Sequence, residues 1–373
     1  MSARGDRTDD LVGLLADLVA IDSVNPTLVE GGEGEASVAQ YVETWFQRVG
    51  LEVILEEVTP GRPNVIATVR GTGRGRTLAL IAHTDTVTTA GVDRPLSPRI
   101  EGDRMYGRGT CDMKAGLAAA MSAAAMLSGQ LGGDVVVAAV CDEEAGSTGT
   151  KKLLDSGPNF DAAIVTEPTD LQVGIAHKGF AGFEIETIGR AAHGSRPDKG
   201  VDAIAAMGPV LVELGELARR LDATPGDPIL GPGSMHASLI EGGQEESSYP
   251  SSCLLTGEWR VVPGDDVEEE LRAAIARSGV DARLRIKYTG PPFLTDEDNE
   301  IGALIRQHAG TANAALPYWT DAALLNAAGI PTVVFGPVGD GMHAASEWVD
   351  LSSVSRVRDV LVEVATRFCG SVE

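Results

Sequence analysis

The chain has 373 residues, 43% hydrophobic and 23% charged, with a mean hydropathy of +0.02. That balance describes a soluble globular protein, excludes a mostly disordered chain and, at about 150 residues per domain, allows two domains. Thirty basic residues against 54 acidic ones leave a net charge of −24, which repels phosphate backbones and anionic headgroups. Without a basic patch to offset it, that charge argues against nucleic-acid and membrane partners.

In chain order, Leu11, Leu14, Leu15, Leu18 and Val19 share one helical face, and Val38 to Val49 repeats the pattern before Gly50 ends it. Between them Ile21 to Glu35 is a loop rich in glycine, proline and asparagine. Strands are expected at Asn64 to Val69, Thr77 to Ala82, Asp134 to Val140 and Asp161 to Val165, with helices at Ala115 to Leu127 and after Gly149. The apolar run Ala115 to Leu127 is too short to span a bilayer. Alternation of strands and helices predicts an α/β domain with a mainly parallel sheet. Gly71, Gly73 and Gly75 precede a strand and not a helix, so a dinucleotide loop is set aside and a hairpin turn is expected there.

From about Ala176 the texture changes. Strands at Phe180 to Ile188, Ala237 to Ile240, Leu254 to Val262 and Ala282 to Tyr288, with helices at Val201 to Leu221 and Val267 to Ser278, predict an inserted α+β domain on one antiparallel sheet. After Gly290, Pro291 and Pro292 the α/β texture returns, with Thr332 to Phe335 and a helix from Val354 to Phe368. The expected organisation is therefore 1–176, an insert at 177–290, and 291–373. The first ten residues lack the apolar stretch of a secretory leader, and four scattered cysteines lack CxxC spacing. A cytoplasmic location and free thiols are expected.

The chemistry-bearing residues fall just after predicted strands. His83 and Asp85 close one strand, two residues apart and facing the same way, so one can ligate while the other orients it. Glu143 and Glu144 follow the strand ending at Val140, Glu167 follows the strand ending at Val165, and His343 lies in a glycine-rich loop beyond Phe335. Asp112 sits in a glycine-rich turn before an apolar helix, where capping is the ordinary reading. Open α/β sheets bind ligands at this end of their strands. Two histidines and three carboxylates exceed the needs of one tetrahedral ion and suit two metals sharing a carboxylate. Asp112, Glu144 and Glu167 bring about −3, which two divalent cations at about +4 offset.

His83-Thr-Asp85, Gly109-Thr-Cys-Asp112-Met-Lys-Ala-Gly116, Asp142-Glu143-Glu144-Ala-Gly146-Ser-Thr-Gly149, Thr166-Glu167-Pro168 and the late His343 together resemble the dinuclear zinc amidohydrolase/peptidase superfamily. That superfamily includes acetylornithine deacetylase, succinyl-diaminopimelate desuccinylase, aminoacylase and glutamate-releasing carboxypeptidase. The resemblance implies one zinc on His83, Asp112 and Glu167 and another on Asp112, Glu144 and His343, with cobalt or manganese as possible substitutes. It also implies that Asp85 orients His83, that Glu143 is the general base, and that the Asp112–Met113 peptide is cis. The inserted domain resembles a lid and dimerisation domain, in which His193 stabilises the oxyanion, usually across a homodimer, and Arg260 grips a substrate carboxylate.

The activity so implied is hydrolysis of the amide bond of an N-acyl amino acid. A dipeptidase or carboxypeptidase is the alternative, and a non-catalytic metal-binding module a lesser one. His177 is read as structural, and His236 and His308 as ordinary surface or packing residues.

Overall fold

The computed structural model describes residues 10–127, 129 and 131–370, which gather into two compact units. The first runs through Ile175 and resumes over Thr295–Leu316 and from Thr320 on. Its strands Val135–Val140, Leu78–His83, Ala162–Val165 and Thr332–Val334 lie side by side in that order, all parallel. Each is an apolar run buried along its whole length, the pattern of a strand covered on both faces. Arg62–Val69 and Glu52–Thr59 extend one side antiparallel, and Val173–His177 the other. The helices Leu11–Val19, Ala36–Val49, Ala115–Leu127 and Leu351–Cys369 bury apolar faces in this unit. The mixed α/β class with a mainly parallel sheet is as expected.

The glycine loop does not form a hairpin turn. Arg62–Val69 and Leu78–His83 are separated by Val135–Val140, which pairs with both. The loop instead runs backbone to backbone along Leu131 to Gly133, with Thr72 N–H donating to Leu131 O at 3.1 Å and Arg74 N–H to Gly132 O at 3.0 Å. A Cβ at Gly71 would collide with the Gly133 carbonyl oxygen, so glycine is required by close approach.

Several short strands have no periodicity for a sequence to show. Arg99–Glu101, Arg104–Tyr106, Trp348–Asp350 and Gly339–Asp340 form a small antiparallel sheet whose last hairpin carries His343.

The second unit comprises Ala176–Leu294 and Pro317–Trp319. It begins at Ala176 and reaches Leu294 because Phe293 and Leu294 pair with His177 and Ala176. Four antiparallel strands, Ser234–Gly242, Ser252–Val261, Gly179–Ile188 and Ala282–Gly290, lie in that order. Helices Ala203–Ala223 and Val267–Ser278 share with them a core that includes Phe183, Ile185, Met207, Leu255, Trp259 and Leu271. Ser252–Val261 alternates buried and half-exposed residues, as a one-sided antiparallel strand must. His177 is buried, its ring 5.2 Å from that of Phe293 and 6.0 Å from that of Trp319, a packing role.

Trp259 is wholly buried and donates its indole N–H to Asp265 at 3.1 Å. Trp259→Ala is expected to destabilise the second unit by about 3–5 kcal/mol, read as a lower urea midpoint for the transition of that unit.

Candidate metal centre

His83 ends its strand, Glu143 and Glu144 follow Val140, and Glu167 follows Val165, so three neighbouring parallel strands deliver four of the candidate groups at their carboxyl ends. Asp112 lies in a tight turn, Thr110–Lys114, whose backbone leaves helical geometry at Asp112 and Met113, and the Asp112–Met113 peptide is cis. The helix that follows approaches the loop bearing Glu167 so closely that a Cβ at Gly116 would collide with the Thr166 carbonyl oxygen. His343, in a left-handed backbone conformation, projects from the hairpin of the small sheet.

These elements bring four groups together around one carboxylate. Asp112 Oδ1 lies 3.0 Å from His83 Nε2, and Asp112 Oδ2 lies 3.2 Å from His343 Nε2. Glu167 approaches His83 Nε2 at 3.4 Å, and Glu144 approaches His343 Nε2 at 3.0 Å. The ligand atoms of His83, Asp112 and Glu167 lie within 4.8 Å of one another, as do those of Asp112, Glu144 and His343.

The donor chemistry fits divalent cations. His83 Nδ1 lies 3.0 Å from the Asp85 carbonyl oxygen, an acceptor, so Nδ1 carries a proton and Nε2 faces the carboxylates of Asp112 and Glu167. A ring nitrogen facing carboxylate oxygens needs either a second proton or a cation between them. Burial opposes charging His83, yet Glu167 and Asp112 hold its pKa well above the ordinary histidine value. Hydrogen bonds to Asp112 and Glu144 raise His343 to about 10. Burial pushes Glu167 well above the usual carboxylate range, with His83 pulling against it and Asp112 and Glu144 adding to the rise. Two divalent cations among these groups relieve both kinds of shift.

Asp85 meets His83 through its backbone carbonyl. Its carboxylate, with Oδ1 3.6 Å from His83 Nδ1, instead accepts the N–H groups of Glu143 and Glu144, each at 3.1 Å. Glu143 is half-buried; loss of water pushes its carboxyl well above the ordinary glutamate value, His83 pulls against this, and Asp321, Glu167 and Glu144 add to the rise.

Sequence reasoning missed Glu347. Its buried carboxylate accepts N–H groups from Gly109 at 2.9 Å, Cys111 at 2.8 Å and Asp112 at 3.1 Å, and pairs with Arg108 at 2.7 Å. It fixes the turn that carries Asp112 from more than two hundred residues away in sequence. No spacing signal marks it; only an acid one residue before an aromatic-led strand is visible.

His193 and Arg260 belong to the second unit. Ser195 N–H donates to His193 Nδ1 at 3.1 Å, which leaves the ring proton of the neutral imidazole on Nε2. Arg260 is exposed and paired with Glu258 at 2.9 Å.

Residues 79–367 match the model of peptidase family M20/M25/M40. The chain belongs to that family. It is a metal-dependent hydrolase. It is 30% identical to an acetylornithine deacetylase of Myxococcus xanthus, over 98% of this chain and 99% of that one. In fold it is similar to a tripeptidase of Staphylococcus aureus, with a TM-score of 0.79, 20% identity and coverage of 97% and 99% of the two chains. It is similar also to a dinuclear metal binding peptidase of Bacillus subtilis, with a TM-score of 0.74, 17% identity and coverage of 98% and 99%.

Glu347→Gln keeps the shape of this family member's side chain but loses charge-assisted acceptance from the Asp112 turn. Metal affinity is expected to fall about 10–100-fold, measured by chelator competition. Unchanged affinity would show that the turn holds itself.

Proposed function

We propose that the chain hydrolyses the amide bond of N-acyl amino acids using two zinc ions per subunit, one held by His83, Asp112 and Glu167 and the other by Asp112, Glu144 and His343. Cobalt or manganese are the expected substitutes. The reading is carried by Asp112, with one carboxylate oxygen beside each imidazole. Likeness to the Myxococcus deacetylase over nearly the full length of both chains supports an acyl amino acid as the substrate.

Bound there, the cations would supply Lewis acidity and lower the pKa of water. Glu143 takes the proton of the attacking water and returns it to the leaving nitrogen, a task suited to a carboxyl whose proton affinity burial raises. Asp85 acts on this step by holding the Glu143 and Glu144 backbone N–H groups. His193, with its ring proton on Nε2, donates to the oxyanion, and Arg260 exchanges Glu258 for the substrate carboxylate.

The second unit is a lid and the seat of a homodimer. Ser234–Gly242 is an edge strand that exposes Leu239 and Ile240, and the helix Ala203–Ala223 exposes Ile204, Leu211 and Val212. We place the protein in the cytoplasm, a reading supported by four buried cysteines that are all free thiols. No helix among the described residues is long and apolar enough to cross a membrane.

Free-amine release from N-acetyl, N-succinyl, N-formyl and N-carbamoyl amino acids and from dipeptides tests the activity. Acyl amino acids are expected to be cleaved, and Glu143→Ala to lose about 10²–10⁴-fold in kcat with both metals retained. Cleavage of dipeptides alone would replace this reading with a dipeptidase, and inertness toward the whole panel with two metals bound would leave a non-catalytic module.

Changing Leu239 and Val212 together to glutamate should give a monomer in sedimentation with reduced kcat. A monomeric parent protein of full activity would remove the dimer from the mechanism.

A further inference from the structure

The mechanism above leaves a buried polar chain unused. It starts at Asn25, in the loop between the first two helices. The Asn25 side chain is wholly buried, and its amide donates to Asp85 Oδ2 at 2.7 Å and to Asp142 Oδ1 at 3.1 Å. Its own oxygen accepts Thr27 N–H at 2.9 Å, and its backbone N–H donates to Thr86 O at 2.9 Å. The amide is therefore held in one orientation, with its nitrogen turned to the two carboxylates.

Those two carboxylates anchor the loop that presents Glu143 and Glu144, one across from it and one within it. Asp85 accepts the N–H groups of Glu143 and Glu144. Asp142 accepts Thr148 Oγ1–H at 2.7 Å through its carboxylate, while its backbone oxygen accepts Gly146 N–H at 3.0 Å and Ser147 N–H at 2.6 Å, which closes the loop on itself. Behind Asp142, Arg62 pairs with it at 2.9 Å and also with the buried Glu35, to which it donates Nε–H at 2.7 Å; Glu35 in turn accepts the Asp142 backbone N–H at 3.1 Å. Arg62 thus offsets Asp142 and Glu35 from one side, and Asn25 holds Asp142 to Asp85 from the other.

Two buried carboxylates repel unless donors stand between them. The Asn25 amide supplies both donors at no net charge, so it leaves the cation balance of the metal ligands unaltered. We infer that Asn25 is a positioning residue for the general base: by tying Asp85 to Asp142 it fixes where the Glu143–Glu144 backbone lies, and so where the Glu143 carboxylate meets water. This rests on the assignment of Glu143 as the base.

The test compares the zinc-loaded full-length protein with its Asn25→Ala and Thr148→Val variants, the second a milder loosening of the Asp142 anchor. Three quantities are read: bound metal, kcat and KM on the best acyl amino acid, and hydrogen exchange of peptides covering 141–149 and 135–140. For Asn25→Ala we expect two metals retained, kcat lower by about 10–100-fold with KM within about threefold, and faster exchange over 141–149 alone. Thr148→Val should shift kcat and exchange in the same direction by less.

Faster exchange over 135–140 as well would mean that Asn25 merely supports the sheet, and would overturn the proposal. So would unchanged kcat, or unchanged exchange over 141–149. If Asn25→Ala fails to fold, Asn25→Ser, whose shorter side chain and single hydroxyl cannot bridge both carboxylates, replaces it with the same three readouts and the same expected outcomes. A parent protein that cleaves nothing would defeat the proposed function, while the exchange comparison would still judge whether Asn25 fixes the loop.

Discussion

Acceptors crowded against acceptors are the constraint on which the first unit turns. Asp112, Glu144 and Glu167 meet two imidazole nitrogens within hydrogen-bonding distance or little more, with His83 and Glu167 buried and His343 exposed. Such a cluster is tolerable only when positive charge stands inside it and N–H groups stand around it. The surroundings supply the second requirement in detail. Glu347 gathers the N–H groups of the Asp112 turn, Asp85 gathers those of the Glu143–Glu144 loop, and Asn25 keeps Asp85 and Asp142 from repelling each other. Side-chain carboxylates thus serve in two layers, an inner one facing the two imidazoles and an outer one holding backbone.

The parallel strands do the coarse positioning. A parallel sheet aligns the ends of neighbouring strands, so residues far apart in sequence, such as His83 and Glu167, arrive together without either being adjusted individually. The finer adjustment falls to irregular segments: the Asp112 turn, the closed loop after Val140, and a hairpin built from strands of two and three residues. In the second unit the same division holds on a smaller scale, with a four-stranded sheet and two helices giving rigidity and a short turn fixing the tautomer of His193.

This division explains what was legible in the sequence. Ala115–Leu127 and Val267–Ser278 have the bounds expected of them, because a long apolar or amphipathic run bounded by polar or glycine residues leaves few choices. The buried strands could be read as short apolar runs of valine, isoleucine, leucine and alanine. Glu52–Thr59 was not legible, since as an edge strand it keeps glutamates and exposed Ile54 and Leu55 together without a clean apolar face. Neither was the path of the Gly71–Gly75 loop, because glycine chosen for close backbone approach has the same one-letter signature as glycine chosen for a turn. Around the site, groups that point directly at the cluster carry recognisable spacing after strand ends. Groups that act through backbone N–H contacts, Glu347 and Asn25 above all, resemble ordinary loop acids and amides until the chain is folded around them.

The placement of His343 and Glu347 on one late hairpin has a consequence for the order in which the protein is made. During synthesis the strands bearing His83, Glu143, Glu144 and Glu167 emerge first, followed by the whole of the second unit, and the hairpin emerges only after both. Until then the Asp112 turn lacks the carboxylate that gathers its N–H groups, and the second imidazole is still missing. Until the hairpin arrives, the nascent chain therefore carries an incomplete, strongly acidic half-site. The candidate metal site is therefore assembled only once the second unit and the hairpin after it have both been made, so metal capture would report that this order has run through.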